Sequence, residues 1–177
     1  MRLSVLMTVY NEADFVDYAI RSCLPFVDDL VIVEGAYQET IRLNKSPRST
    51  DGTCDIIEKY RFHHKVTIVH SNQESDKDQR NVGLDYIKRL NPDGWLLIID
   101  GDECWTENTL TSVKKLAQTF DKQNIKGCYF KSLTFVNDFE HYTNQEFPRL
   151  FKITADCQFT NDNFMRWGDL GWSAPHI

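Results

Sequence analysis

No stretch of about 18 apolar residues occurs in the 177-residue chain, so no membrane span is expected. The start, MRLSVLMTVYNE, turns polar after a short apolar run and lacks the pattern of a secretion signal. Cysteine is sparse: Cys23, Cys54, Cys104, Cys128 and Cys157 are odd in number, scattered, and include no C-x-x-C pair. That argues against a disulfide framework and makes the cytoplasm the expected location. No His stands at ligand spacing to a Cys, which removes a structural zinc site. Basic charge is in deficit, with 20 Lys and Arg against 26 Asp and Glu. The net charge of −6 argues against a nucleic-acid partner. An anionic ligand would need local arginines or a bridging cation.

What remains is an ordinary globular composition, 41% hydrophobic and 26% charged, long enough for one domain with a real core. LSVLMTVY (3–10) reads as a strand buried on both faces. Asn11 offers a helix N-cap, and Phe15, Tyr18, Ala19 and Cys23 recur at helical spacing until Pro25. DLVIVEG (29–35) is a second strand, residues 36–48 a polar loop, and Thr50 or Ser49 can cap a helix that runs through Tyr60. KVTIVH (65–70) is a third strand. Ser75 and Asp78 have capping-box-like spacing ahead of a helix over 76–90, with Val82, Tyr86 and Leu90 as its stripe. WLLIID (95–100) is a fourth strand, and Thr106 starts a helix through about Phe120. GCYFKSLTFV (127–136) and FPRLFKIT (147–154) read as strands of an antiparallel region.

Four strand–helix alternations predict an α/β fold with a parallel sheet flanked by helices. Right-handed crossovers then bring the strand ends to one edge, where such sheets bind ligands. Tyr10-Asn11-Glu12, Glu34-Gly35, His70-Ser71 and Asp100-Gly101-Asp102 collect there. Asp100-Gly101 could be a hairpin turn, but ECWTENTLTSVKKL reads as a turn and a helix, with no partner strand. In an extended segment Asp100 and Asp102 would face one way, and two carboxylates with open positions suit Mg²⁺ or Mn²⁺. A solvated acidic strand end satisfies the same residues.

VYNE after the first strand, STDGT after the second, QRNVGL before the fourth and DGDE after it resemble, in that order, family 2 glycosyltransferases. RLFK (149–152) is similar to a later family segment. The resemblance implies a Rossmann-like, A-type glycosyltransferase fold in one domain over 1–177. A nucleotide-sugar-binding half would run to about 122. A shortened or truncated acceptor-side half, small and antiparallel, would occupy about 123–177. It further implies metal-dependent, inverting transfer of a sugar from a nucleoside-diphosphate donor, UDP-linked by default, to a saccharide or other hydroxyl acceptor. Mn²⁺ or Mg²⁺ is the implied cofactor.

Carried over by residue, Val9, Tyr10, Asn11 and Glu12 would wall the nucleotide pocket and Glu34 would read the base. Arg80 would lie near the diphosphate; as a plain surface residue it would pair with Asp76 or Asp85. Asp100 would contact ribose, Gly101 would admit the ligand, and Asp102 would bind the metal, with Asp100 and His176 as further candidate ligands. Asp169 is the candidate base, with Asp162 and Glu140 as rivals, and Trp167 and Trp172 form a candidate acceptor platform. The loop between Glu34 and STDGT is longer than the family pattern, so Asp51 is as well read as a helix cap. Its Arg42, Lys45 and Arg48 either approach the diphosphate or acceptor or are solvated. The alternatives are a non-catalytic nucleotide-sugar or glycan binder and, more remotely, a nucleotidyltransferase. VYNEADF has neither the Gly nor the Lys a triphosphate cradle calls for.

Overall fold

The structure, a computed structural model, describes residues 1–43, 46–136, 138–160 and 164–168. Four parallel strands form its basis: β1 (Leu3–Val9), β2 (Asp29–Glu34), β3 (Val66–His70) and β4 (Trp95–Ile98). Two antiparallel strands, β5 (Gly127–Val136) and β6 (Asp138–Lys152), complete a sheet ordered β3-β2-β1-β4-β6-β5. A separate pair, β7 (Cys157–Phe159) and β8 (Met165–Trp167), covers one face.

Strand β4 is apolar throughout, and β1 and β2 are apolar apart from Ser4, Thr8, Asp29 and Glu34, because both sheet faces are covered. Val5, Met7, Ile32 and Leu97 belong to one hydrophobic cluster, whereas Leu6, Val31, Val33 and Ile98 belong to the other. On the first face lie α1 (Val16–Cys23) and α5 (Glu107–Gln123), which bury Val16, Ala19, Ile20 and Cys23, and Leu110, Val113, Ala117 and Phe120. These are the one-stripe spacings of amphipathic helices. Two shorter helices, α2 (Gln38–Arg42) and α3 (Thr53–Glu58), follow β2. On the opposite face is α4 (Asp76–Leu90), capped by the Ser75 hydroxyl, which accepts from Asp78 N at 3.3 Å.

Helix α4 buries Gln79, Arg80, Gly83, Leu84 and Ile87, a stripe offset from the expected Val82, Tyr86 and Leu90. Gly83 is the reason. A Cβ there would lie 2.2 Å from Leu6 Cδ1 and 2.9 Å from Val33 Cγ2, so only glycine lets the helix settle this close to the sheet. In α1, likewise, Phe15 and Tyr18 face solvent and the buried stripe starts at Val16. The segment expected as a loop over 36–48 contains α2. Among the described residues no helix is long and apolar enough to cross a membrane.

Candidate active site

The parallel strands deliver their carboxyl ends to one edge, and a cleft of about 530 Å³ opens there. Val9, Tyr10 and Glu12 form one wall, Ala36, Tyr37 and Thr40 another, and Asp100, Asp102, Phe147 and Arg149 a third. Asp76 and Arg80, from the first turns of α4, close the back.

The segment after β1 is held by the STDGT segment. Asn11 adopts a left-handed conformation (φ 54°) rather than capping α1. Its N–H donates to Ser49 Oγ at 3.0 Å and its Oδ1 accepts from Thr50 N at 2.9 Å. Asp51 accepts from Ala13 N at 2.9 Å and from Thr53 N and Oγ1 at 3.0 and 2.7 Å, while Thr53 Oγ1 accepts from Glu12 N. Burial pushes the Asp51 carboxyl up, but these donors outweigh it and hold the group below the usual range. Asp51 staples the two loops together and accepts from the first N–H of α3, whose N-cap is Gly52.

Glu34 corrects the sequence reading. It is 0% exposed and absent from the cleft lining. Its Oε1 accepts from Ser49 N at 2.8 Å, and its Oε2 lies 3.0 Å from His70 Nδ1 and 2.6 Å from Arg48 Nε. Burial raises its pKa, yet Ser49, His70 and Arg48 together bring it below the ordinary value. Its carboxylate is engaged inward, so it does not face a nucleotide base. Arg48 is held by the same contact, and Arg42 pairs with Glu74 at 2.9 Å. Neither arginine lines the cleft. At Gly35 (φ +142°) a Cβ would stand 2.1 Å from Ser71 O, so the turn that leaves β2 requires glycine.

A chain of charge crosses the cleft floor. Tyr37 OH donates to Asp76, Asp76 Oδ2 accepts from Arg80 Nε at 2.6 Å, and Arg80 Nη2 donates to Asp100 Oδ1 at 3.2 Å. Asp100 Oδ2 accepts from Arg149 Nη2 at 2.8 Å, and the same nitrogen contacts Glu103. Both arginine side chains are more than nine-tenths buried. Burial lowers the Arg80 pKa, but Asp100 and Asp76 more than offset it. Arg149 stands at a β-bulge: Cys128 pairs with Leu150 and Tyr129 with Pro148, leaving residue 149 unopposed. Such bulges re-aim side chains. Here the guanidinium lies 4.9 Å over the Phe147 ring, and its buried Nη1 has no partner among the described residues.

The Asp100-Gly101-Asp102 segment is a turn, with Glu103 N donating to Asp100 O at 2.9 Å, and not the extended stretch expected. The two aspartates consequently differ. Asp100 is clamped by two guanidiniums, whereas Asp102 is exposed at the cleft. Gly101 packs on Glu12, where an added Cβ would lie 1.6 Å from Glu12 Oε2. That oxygen is buried without a hydrogen bond among the described residues. Burial first, then repulsion from Asp102, Asp100 and Asp51, pushes the Glu12 carboxyl up to about 8.

Among the described residues no three His, Cys, Asp or Glu side chains gather to hold a metal ion. A one-carboxylate site does fit: Asp102 is open at the cleft and would hold Mg²⁺ or Mn²⁺, ions that ordinarily bind through one or two carboxylates together with phosphate oxygens. The balance of charge favours this, since three aspartates in the lining face only two arginines. His176, Asp169, Asp162, Trp172 and Lys45 lie outside the described residues. Glu140 is exposed on β6, remote in register from the cleft-lining Phe147. Trp167 is no acceptor platform: it is 3% exposed, packs on Phe151, and its Nε1–H donates to Lys152 O at 2.8 Å. Arg149 and Asp76 join the site only in the fold. The arginine's signal was a charge within the otherwise apolar run FPRLF.

Residues 4–172 match the family described as glycosyl transferase family 2. The chain belongs to that family. The family 2 chain is similar in structure to S. aureus TarS 1–349, with a TM-score of 0.54 at 23% identity, over 78% of this chain and 37% of TarS 1–349. The same TarS region in complex with UDP-GlcNAc gives a TM-score of 0.51 at 23% identity, over 77% and 36% of the two chains. A 4-diphosphocytidyl-2C-methyl-D-erythritol synthase gives 0.51 at 12% identity, over 85% and 75%. These likenesses establish the A-type glycosyltransferase fold, a mostly parallel six-stranded sheet flanked by helices. The chain spans little more than a third of the TarS fragment it matches. No curated protein matches it.

Proposed function

We propose that the chain binds a nucleoside-diphosphate sugar, UDP-linked by default, and transfers the sugar with inversion to a hydroxyl acceptor with the help of Mn²⁺ or Mg²⁺. The observation that carries the reading is the split between the two aspartates, one clamped by Arg80 and Arg149 and the other open at the cleft. Family membership and the fold's likeness to TarS, whose structures include complexes with UDP and UDP-GlcNAc, support it.

Each Asp100 oxygen accepts one guanidinium N–H and keeps a second lone pair, so it can still receive a ribose hydroxyl. Arg149 Nη1, buried and without a partner among the described residues, offers a charge-assisted donor to a diphosphate oxygen. Backbone and side-chain groups of Val9 and Tyr10 wall the nucleotide. Asp102 would hold the divalent cation, which supplies charge neutralisation for the departing diphosphate. Inversion requires the acceptor oxygen to attack opposite the leaving group while a carboxylate takes its proton, and Asp169 is the candidate.

Calorimetric titration of UDP with and without Mn²⁺, repeated on Asp102→Asn, tests the reading. We expect metal-dependent binding that weakens at least tenfold in the variant. Failure of UDP, GDP, CDP and dTDP to bind in either condition would overturn the donor site. Equal UDP affinity with and without metal would overturn the cation.

A further inference from the structure

The β5–β6 ribbon runs outward from the cleft as a two-stranded arm whose faces differ in chemistry. Residues paired across an antiparallel ladder share a face, and successive residues alternate. One face carries the pairs Lys131–Glu146, Leu133–Asn144 and Phe135–Tyr142, with an ion pair of 3.8 Å in the first. The other carries Phe130–Phe147, Ser132–Gln145 and Thr134–Thr143, with no ionisable group in its three rungs. The uncharged face is continuous with the cleft. Phe147 lines it, and Phe130 meets the Trp105 ring edge-on at 5.5 Å.

We propose that this uncharged face is the acceptor subsite, and that it takes a neutral oligosaccharide with its terminal sugar at Phe147 and the following sugars along Ser132, Gln145, Thr134 and Thr143. The inference rests on the glycosyl-transfer reading above. Hydroxyl and amide side chains both donate and accept, which matches the hydroxyls of a sugar. The Ser132 hydroxyl is buried with no partner among the described residues, and Thr134 Oγ1 already donates to Gln145 Oε1 at 3.2 Å. Phe147 supplies an apolar surface for the carbon face of a pyranose where chemistry would take place. Phe147 and Thr143 lie four steps apart along β6, about 14 Å at strand rise, longer than one sugar ring. The absence of Lys, Arg, Asp and Glu from these rungs selects against phosphorylated, sulfated or uronic-acid acceptors. Trp167, one member of the expected tryptophan platform, is buried in the core and offers no such surface.

The test uses the full chain with saturating UDP and Mn²⁺, probed with an array of neutral gluco-, galacto- and N-acetylglucosamine tetrasaccharides beside sulfated and uronic-acid ones. Its variant is the double substitution Thr143→Val, Gln145→Leu. Both positions are exposed, so the changes remove hydrogen-bonding groups without touching the core. We expect at least one neutral tetrasaccharide to bind, and to bind at least tenfold more weakly to the variant, with UDP affinity within twofold of the parent. Three results would overturn the proposal: no neutral probe binds, only anionic probes bind, or neutral binding is the same in the variant. A parent dimer that the variant dissociates would assign the face to a second copy and also sink it. Loss of UDP binding in the parent is a different failure, that of the donor site.

Discussion

Replacing Glu12 with Gln should stabilise the protein increasingly as pH rises. The Glu12 carboxyl lies against Gly101 with one oxygen enclosed and unbonded, facing Asp102, Asp100 and Asp51. Below about pH 4.5 both the folded and the unfolded chain hold its proton. As pH rises further the unfolded chain releases that proton, whereas the native state keeps it until about pH 8. Across this window the raised pKa penalises folding by about 1.4 kcal/mol per pH unit. Gln has the same shape and never ionises, so the variant escapes the penalty. Its unpaired amide adds only a pH-independent offset. Between about pH 5 and about pH 7.5 the stability of the variant relative to the parent should therefore rise by about 3 kcal/mol. Urea unfolding at those two pH values in metal-free buffer measures it. A difference that stays constant or narrows would refute both the burial of the acid and the repulsion assigned to it.

Arg149→Met should cost about 3 kcal/mol in urea unfolding, because Asp100 and Glu103 lose their shared guanidinium. Weaker UDP binding should accompany it, and Arg149→Lys should restore stability only in part, since an ammonium lacks the planar fork. Asp51→Ala should cost about 1–2 kcal/mol, the value of a lost cap, and leave UDP affinity within twofold, because Asp51 does not line the cleft. The Asp51 carboxyl sits below its ordinary 3.8, so its stabilisation is complete above that value. It is lost as pH falls through the lowered value, and the parent–variant gap should close in acid.

The four parallel strands and the ends of α4 were legible because apolar runs and the Ser75 cap are local signals. The face of α4 was not, because Gly83 contributes no hydrophobic mark, yet its missing side chain sets which way the helix turns. Helix α2 carries no local signal in the sequence because its support is tertiary. Gln38 N donates to Gln73 O at 2.9 Å, and Asn72 Nδ2 reaches both Ala36 O and Pro47 O. The inward commitment of Glu34 depends on His70 and Arg48, which stand 36 and 14 positions away and meet it only in the fold. Asp100 and Asp102 were found as a pair but not told apart, since the clamp on Asp100 comes half from α4 and half from β6. Trp167 misled because a large aromatic near the chain's later half reads equally well as platform or core.

The position of β6 governs how the molecule can be made. In the sheet, β4 lies between β1, which precedes it by some ninety residues, and β6, which follows it. A nascent chain that has emerged only through α5 therefore presents WLLI as an open edge, with unpaired peptide groups along a wholly apolar strand. Such edges recruit other chains. The same intermediate holds Asp100 and Glu103 together without the guanidinium that later neutralises them. Synthesis of β6 thus covers the apolar edge of β4 and completes the charged floor of the cleft in one step. A fragment that ended at α5 would have neither.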